Sequence, residues 1–162
     1  MADFDRAFSA LVENEGGYSN NPADPGGETM WGVTARVARS HGYTGSMKEL
    51  PLSVARAIAK AEYWDPVKGD QLPEPLGFQV FDGAYNSGVA QASKWLQQAA
   101  GVTADGVIGP ATLAAVAAAP ALSLVAKYNA ARLLFLAKLP TWPSFGKGWA
   151  NRIANNLQRA AS

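Results

Sequence analysis

The chain has 162 residues, of which 48% are hydrophobic and 17% charged, and its formal net charge is +1. This balance is typical of a globular protein with one sizeable core. There is no cysteine and only one histidine, His41, which excludes disulfide frameworks, thiolate metal sites and multi-histidine zinc sites. A Ser-His-Asp catalytic set would need His41. Because His41 precedes Gly42, we expect it to end a helix instead.

Charge is divided unevenly along the chain. The net charge is −5 up to Asp105 and +6 after it, because no acidic residue follows Asp105. A basic final helix is either packed with a solvated cationic face or drawn to an anionic wall or outer-membrane surface. Nucleic acid is not predicted as a partner, since aromatic and basic residues do not interleave in a binding motif. The sequence predicts no signal peptide and no membrane-spanning segment.

Apolar periodicity predicts a mainly α fold, a helical bundle with one small β-hairpin beside the first helix. Caps and helix-ending residues define the predicted helices, which span about 4–15, 35–41, 54–64, 91–99, 110–120, 121–139 and 145–160. A further helix is predicted to begin at Phe78 and to break at Asn86-Ser87-Gly88, ahead of the helix over 91–99. Residues 65–75 are predicted to be a long loop. In the helix over 121–139, Leu124, Tyr128, Leu133 to Leu136 and Leu139 are expected to face the core.

Glu15 is the strongest candidate for chemistry. It projects within roughly 20° of Phe4, on the apolar face of the first helix, and Gly16 follows it as a helix-ending residue. Burial and the negative end of the helix dipole both disfavour an ionised carboxylate. We therefore expect a raised pKa for Glu15 and a role as general acid.

The loop after Glu15 supplies a second group for such chemistry. Tyr18-Ser19 and Thr29 to Val33 are predicted to pair as a hairpin, which would fold Asp24 and Thr29 back towards Glu15. An acid opposite a second carboxylate is the arrangement of glycosidases. One acid protonates the glycosidic oxygen, and the other group holds a water or stabilises the positive charge on the sugar ring.

Three stretches carry a family resemblance. Glu-Gly-Gly-Tyr at 15–18, Asp-Pro-Gly-Gly-Glu-Thr at 24–29 and Trp-Gly-Val-Thr at 31–34 resemble the signature of glycoside hydrolase family 108. The motifs at 81–88 and 105–112 resemble the peptidoglycan-binding region that usually completes this family. The members are N-acetylmuramidases, mostly of phages and prophages of Gram-negative bacteria. The site is also similar to that of phage-type lysozymes, except that four residues rather than five separate Asp24 from Thr29.

The resemblance implies a lysozyme-like fold and a role for each site residue. Glu15 would be the catalytic acid, Asp24 and Thr29 would position water or stabilise the transition state, and Glu28 is a reserve for Asp24. Substrate-binding candidates are Tyr18, Trp31, Tyr85 and Asn86. Asp82 is either a buried structural acid or part of the cleft, and the 105–112 motif is more often a helix connector than a binding site.

The implied protein is a peptidoglycan hydrolase, a phage endolysin that cuts the β-1,4 bond between N-acetylmuramic acid and N-acetylglucosamine. No metal or organic cofactor is implied. We expect a single monomeric domain over 1–162, with a catalytic region at about 5–70 and a helical, peptidoglycan-binding region at about 71–162. The enzyme would stay in the host cytoplasm until a holin releases it. Alternatives are a lytic transglycosylase, a chitinase and a non-catalytic wall-binding module.

Overall fold

The structure, a computed structural model, describes residues 1–23 and 25–162. In these residues it contains eight α-helices and one two-stranded antiparallel sheet, which confirms the mainly α fold with a single small hairpin. The elements in chain order are α1 (Phe4–Glu15), β1 (Thr29–Met30), β2 (Val33–Thr34), α2 (Ala35–Ser40), α3 (Leu52–Ala59), α4 (Glu74–Ser87), α5 (Val89–Ala100), α6 (Pro110–Ala117), α7 (Ala121–Ala137) and α8 (Trp142–Ala161). No helix in this part of the chain is long and apolar enough to cross a bilayer.

Helix α1 has the predicted bounds because both of its ends are capped. The side chain of Asp3 accepts a hydrogen bond of 2.9 Å from the backbone N–H of Arg6, which satisfies one of the free donors at the helix start. At the other end Gly16 has a φ of 65°. Glycine adopts this left-handed conformation at little cost, so the helix ends directly after Glu15.

The strand pairing of the hairpin agrees only in part with the predicted pairing. Thr29 pairs with Thr34 and Met30 with Val33, so β1 and β2 are joined by a two-residue turn. The predicted pairing of Tyr18-Ser19 with Thr29 to Val33 is confirmed at Ser19, which forms an antiparallel bridge with Thr29 on the other edge of β1. It is wrong at Val33, which pairs with Met30 instead.

Several predicted boundaries were also wrong. Helix α3 begins at Leu52, so Ser53 lies inside it, and α4 begins within the predicted loop over 65–75. Helix α8 begins at Trp142 because Pro143 lies in its first turn, where the missing N–H costs no helical hydrogen bond. The expectation for His41 is confirmed, since it caps the end of α2.

The buried face of α7 includes polar residues that periodicity did not identify. Leu124, Tyr128 and Leu136 are buried as predicted, but Asn129 and Arg132 share that face. Leu133, Leu134 and Phe135 are exposed, Leu134 to 64%. Hydrophobicity alone predicts that a leucine is buried in preference to an arginine. Arg132 can be buried here only because it has a buried partner.

Helix α4 is the element that both parts of the core share. Phe81 packs against Phe4 and Trp64, whereas Val80 lies in a second cluster between α4, α5 and α7. At Gly83 an added Cβ would lie 2.0 Å from the hydroxyl of Tyr128, so α4 and α7 approach each other more closely than a side chain allows. Helix α4 thus fixes the first helix relative to the C-terminal helices.

The motif at 105–112 forms a connector between α5 and α6. The buried carboxamide of Gln97 donates to Asp105 Oδ1 at 2.7 Å and to the carbonyl of Val107 at 3.0 Å, and it accepts from the N–H of Gly106 at 2.9 Å. The hydrogen bond from Val107, followed by the one from Gln97, lowers the pKa of Asp105. The polar groups of the motif are used to hold this turn.

Candidate active site

Glu15 lies where α1 ends and the hairpin begins to pack on the helices. Its side chain is 16% exposed, and α1 is held by an apolar face that includes Phe4, Phe8 and Leu11. Because Gly16 ends the helix, the carboxylate stands beside the following loop and not over a further helical turn. The Glu15 side chain is therefore mostly buried but not closed off from solvent.

The tip of the hairpin packs on this carboxylate. Trp31 and Gly32 have φ values of 53° and 76°, the pattern of a two-residue turn that fits a twisted hairpin. A Cβ at Gly32 would lie 2.9 Å from Cδ of Glu15 and 2.7 Å from the ring of Tyr85. The absence of a side chain at Gly32 is therefore what allows the turn to contact Glu15.

Two hydrogen bonds hold the turn in place. The indole N–H of Trp31 donates to the carbonyl of Leu50 at 3.1 Å, and the hydroxyl of Tyr85 donates to the carbonyl of Trp31 at 3.0 Å. Burial raises the pKa of Tyr85, and the charge of Glu15 raises it further, so Tyr85 remains a donor. A left-handed tryptophan is strained, and these contacts stabilise it. Trp31 and Tyr85 thus hold the turn against Glu15; their predicted role in substrate binding stays a prediction.

Arg152, from α8, is the direct ionic partner of Glu15. Its Nη2 donates both to Glu15 Oε1 and to Asp82 Oδ1, the latter at 2.8 Å, and its Nε donates to Asp82 at 3.0 Å. Burial alone would lower the pKa of Arg152, but the charges of Asp82 and Glu15 raise it. A permanently charged guanidinium therefore holds the edge of the Glu15 carboxylate.

Asp82 is fully buried and holds Arg152 in place through hydrogen bonds. Arg132 Nη1 and Asn156 Nδ2 donate to its Oδ2 at 2.7 and 2.8 Å. Burial opposes ionisation, but the guanidiniums of Arg152 and Arg132 outweigh it and lower the pKa of Asp82 to about 2. Of the two interpretations of Asp82 drawn from the sequence, the structure supports the buried structural acid.

Three further predicted site residues lie in the hairpin, in the loop before it and at the end of α4. Thr29 is in β1, three residues before Gly32. Tyr18 is 37% exposed, and its hydroxyl donates to Glu28 at 2.9 Å; this hydrogen bond raises the pKa of Tyr18. Asn86 is exposed at the end of α4. Asp24 lies outside the described residues.

Sequence reasoning missed the contributions of Gly32, Arg152 and Asn14. Asn14 donates to Asn156 Oδ1 at 3.1 Å and so joins α1 to α8. A signal for Arg152 was present in the charge division, because acids in one part of the chain and excess cations in the other favour ion pairs between the two parts. The predicted environment of Glu15, apolar and at a helix end, omitted this charged donor.

Comparisons with known proteins identify the family of the chain. The family model of glycosyl hydrolase 108 matches residues 8–88, half of the chain. The structure of SagA from Brucella abortus superposes with a TM-score of 0.90 at 39% sequence identity, over 98% of this chain and 93% of that one. The chain belongs to the glycosyl hydrolase 108 family.

The predicted family is thereby confirmed. This glycosyl hydrolase also matches, over residues 91–154, the family described as a predicted peptidoglycan domain. Together the two matches establish a glycoside hydrolase that acts on peptidoglycan. No curated protein matches the chain in sequence.

Proposed function

We propose that the enzyme is an N-acetylmuramidase, which hydrolyses the β-1,4 bond between N-acetylmuramic acid and N-acetylglucosamine. The observation that carries this proposal is the Glu15 carboxylate, held between Gly32 and Arg152 at the mouth of the hairpin. Glu15 donates a proton to the leaving oxygen, and the charged Arg152 then stabilises the carboxylate that remains. Asp24, helped by Thr29, is assigned to the water or to the oxocarbenium-like transition state.

The remaining site residues are assigned to the glycan. Tyr18 and Asn86 are exposed and have a phenol ring and a carboxamide, groups that stack on sugars and hydrogen-bond to them. Trp31 and Tyr85 support the turn over Glu15. Glu28 remains the reserve for the role of Asp24, although its hydrogen bond to Tyr18 gives it a structural use.

The test is mass spectrometry of fragments released from purified peptidoglycan by wild type, Glu15→Gln and the control Glu74→Gln. Glu74 is exposed and pairs with Arg6 at 3.2 Å, so this variant should act like wild type. Hydrated reducing muramic ends that disappear only in Glu15→Gln would support the proposal. Anhydro ends would replace it with a lytic transglycosylase. Unchanged fragments from a folded Glu15→Gln protein would refute the role of Glu15.

We further propose that the enzyme is a monomeric endolysin, which lyses a host after a holin releases it from the cytoplasm. Support comes only from the family resemblance. Expression in a bacterium with and without a pore-forming protein tests it, since lysis should require both. Lysis without the pore, or none with it, would contradict this role, and sedimentation would test the monomer.

An attraction to anionic wall or membrane surfaces is proposed for the C-terminal cations. In α8, Arg152 pairs with Asp82 and Glu15 and Arg159 with Glu13, whereas Lys147 has no ion pair in the described part of the chain. Binding to vesicles of anionic lipid should weaken in Lys147→Gln and at high salt. Binding that is insensitive to both would exclude it.

A further inference from the structure

A groove of about 490 Å³ opens beside Glu15, between α1, α4 and α8. It begins at Asn14, the residue before Glu15, and at Arg152, which binds Glu15. Its wall also includes Asn86, at the end of α4. The groove therefore borders two neighbours of Glu15, and most of its wall comes from the final helix.

One face of α8 forms this wall. Ser144, Gly148, Asn151 and Asn155 follow one another at spacings of three and four residues, so they share a face of the helix. All four are exposed, and the side chains of Asn151, Asn155 and Asn86 make no hydrogen bond in the described part of the chain. Free carboxamides offer two donors and an acceptor each.

The aromatic and charged groups of the groove define its ligand more closely. Phe145 and Trp149 stack on each other at 5.7 Å along one edge, which suits the apolar face of a sugar. The two charged residues of the wall are already paired, Glu13 with Arg159 and Arg152 with two carboxylates. No uncompensated charge is left in the described wall for the carboxylates or amines of a stem peptide.

Gly148 is not explained by packing. An added Cβ there would meet no atom within 4 Å, whereas one at nearby Gly146 would lie 2.4 Å from the ring of Trp142. Glycine inside a helix costs stability relative to alanine. A ligand that lies against the helix backbone would explain a glycine at a position where a side chain would fit and would favour the helix.

We propose that this groove binds the glycan strand beyond the scissile bond, as a subsite for neutral N-acetylated amino sugars. The acetamido and hydroxyl groups of the strand hydrogen-bond to Asn86, Asn151 and Asn155, and the rings lie against Trp149. The inference rests on the proposed function for the identity of the strand. It assigns to α8 a direct role in substrate binding, separate from the support that Arg152 gives to Glu15.

The test measures calorimetric binding of a chitin oligosaccharide, a neutral chain of N-acetylglucosamine without peptide. Asn151→Ala combined with Asn155→Ala should weaken binding about tenfold or more, since each neutral hydrogen bond corresponds to roughly fivefold. Gly148→Gln should abolish binding by filling the groove while thermal stability stays equal or rises. Gln158→Ala, an exposed carboxamide of the same helix outside the wall, is the matched control and should bind like wild type.

Equal binding by wild type and both groove variants would overturn the inference. So would binding that requires stem peptides, because the ligand would then be of another class. The proposed function fails separately, if no hydrolysis depends on Glu15 while oligosaccharide binding still depends on Asn151 and Asn155. If hydrolysis depends on Glu15 but groove variants keep wild-type binding and KM, only the subsite is refuted.

Discussion

Arg152 is the residue on which the position of Glu15 depends most. One of its nitrogens donates to two carboxylates at once, and a second binds Asp82 from the side. Lysine would keep the charge but lose this planar fork. We expect Arg152→Lys to lower kcat about tenfold or more with a smaller change in KM. Kinetics on purified peptidoglycan, with a thermal melt to verify folding, would measure this. A wild-type kcat would show that Glu15 is positioned without the fork.

Gly32 limits the active site from the opposite side. A methyl group at this position would overlap both Glu15 and Tyr85, at 2.9 and 2.7 Å, and the φ of 76° adds strain. Because displacement of a catalytic group by about 1 Å can cost 10²-fold, Gly32→Ala should lose about that much activity. The matched control is Gly42→Ala, which has a similar φ of 82° but no atom within 4 Å. Equal activity of the two variants would show that overlap with Glu15 and Tyr85 does not lower activity.

At the scale of elements, α8 supports the candidate catalytic residue Glu15 through Arg152. Asn156 is buried. Its side-chain amide donates to Asp82 at 2.8 Å, and its backbone carbonyl accepts from the side chain of Gln79 at 2.8 Å. Deletion of residues 145–162 would remove Arg152 and Asn156, two partners of Asp82. It would also expose the part of the core that Ile153 covers. We expect the truncated chain to lose its cooperative thermal transition, as followed by circular dichroism. A cooperative melt close to that of wild type would contradict this.

The sequence alone was sufficient to predict the secondary-structure elements, but not the contacts between residues that lie far apart in the chain. Helical spacing and caps predicted α1 to the residue, because its start at Asp3 and its end at Gly16 are local features. The position of Arg132 inside α7 was not predictable, because its partner Asp82 lies 50 residues away. The turn at Gly32 was not predictable for the same reason, because the left-handed φ of Trp31 is stabilised by contacts with residues outside the turn, Leu50 and Tyr85.

Over the whole molecule, the second family match completes the site of the first. Arg132 and Arg152 lie in residues 91–154, and both bind an acid in residues 8–88. Within the described residues, three of the six cations after Asp105 pair with acids in this way, since Arg159 also pairs with Glu13. The uneven charge along the chain is therefore partly neutralised across the fold. The region that matches the predicted peptidoglycan domain therefore also holds Glu15, the proposed catalytic acid, through Arg152.

The charge of Asp82 makes the stability of the folded protein depend on pH. Its pKa of about 2 in the folded protein is below the value of about 3.9 expected in the unfolded chain. A depressed carboxyl pKa contributes stability above pH 4, and the contribution is lost as the pH falls through 2. Asp82→Asn removes the carboxylate and leaves two buried guanidiniums with Glu15 alone. We expect it to lower the free energy of unfolding by about 3–5 kcal/mol at pH 7.

Denaturant unfolding of wild type and Asp82→Asn at a series of pH values measures this difference. It should be largest near neutral pH and shrink below pH 4, because protonation removes the same charge from wild type. Asp5→Asn is the control, since Asp5 pairs with Arg56 at the surface and exposed ion pairs contribute little. A difference that stays constant from pH 7 to pH 2 would mean that Asp82 contributes through its hydrogen bonds and shape, because loss of its charge would then have no effect.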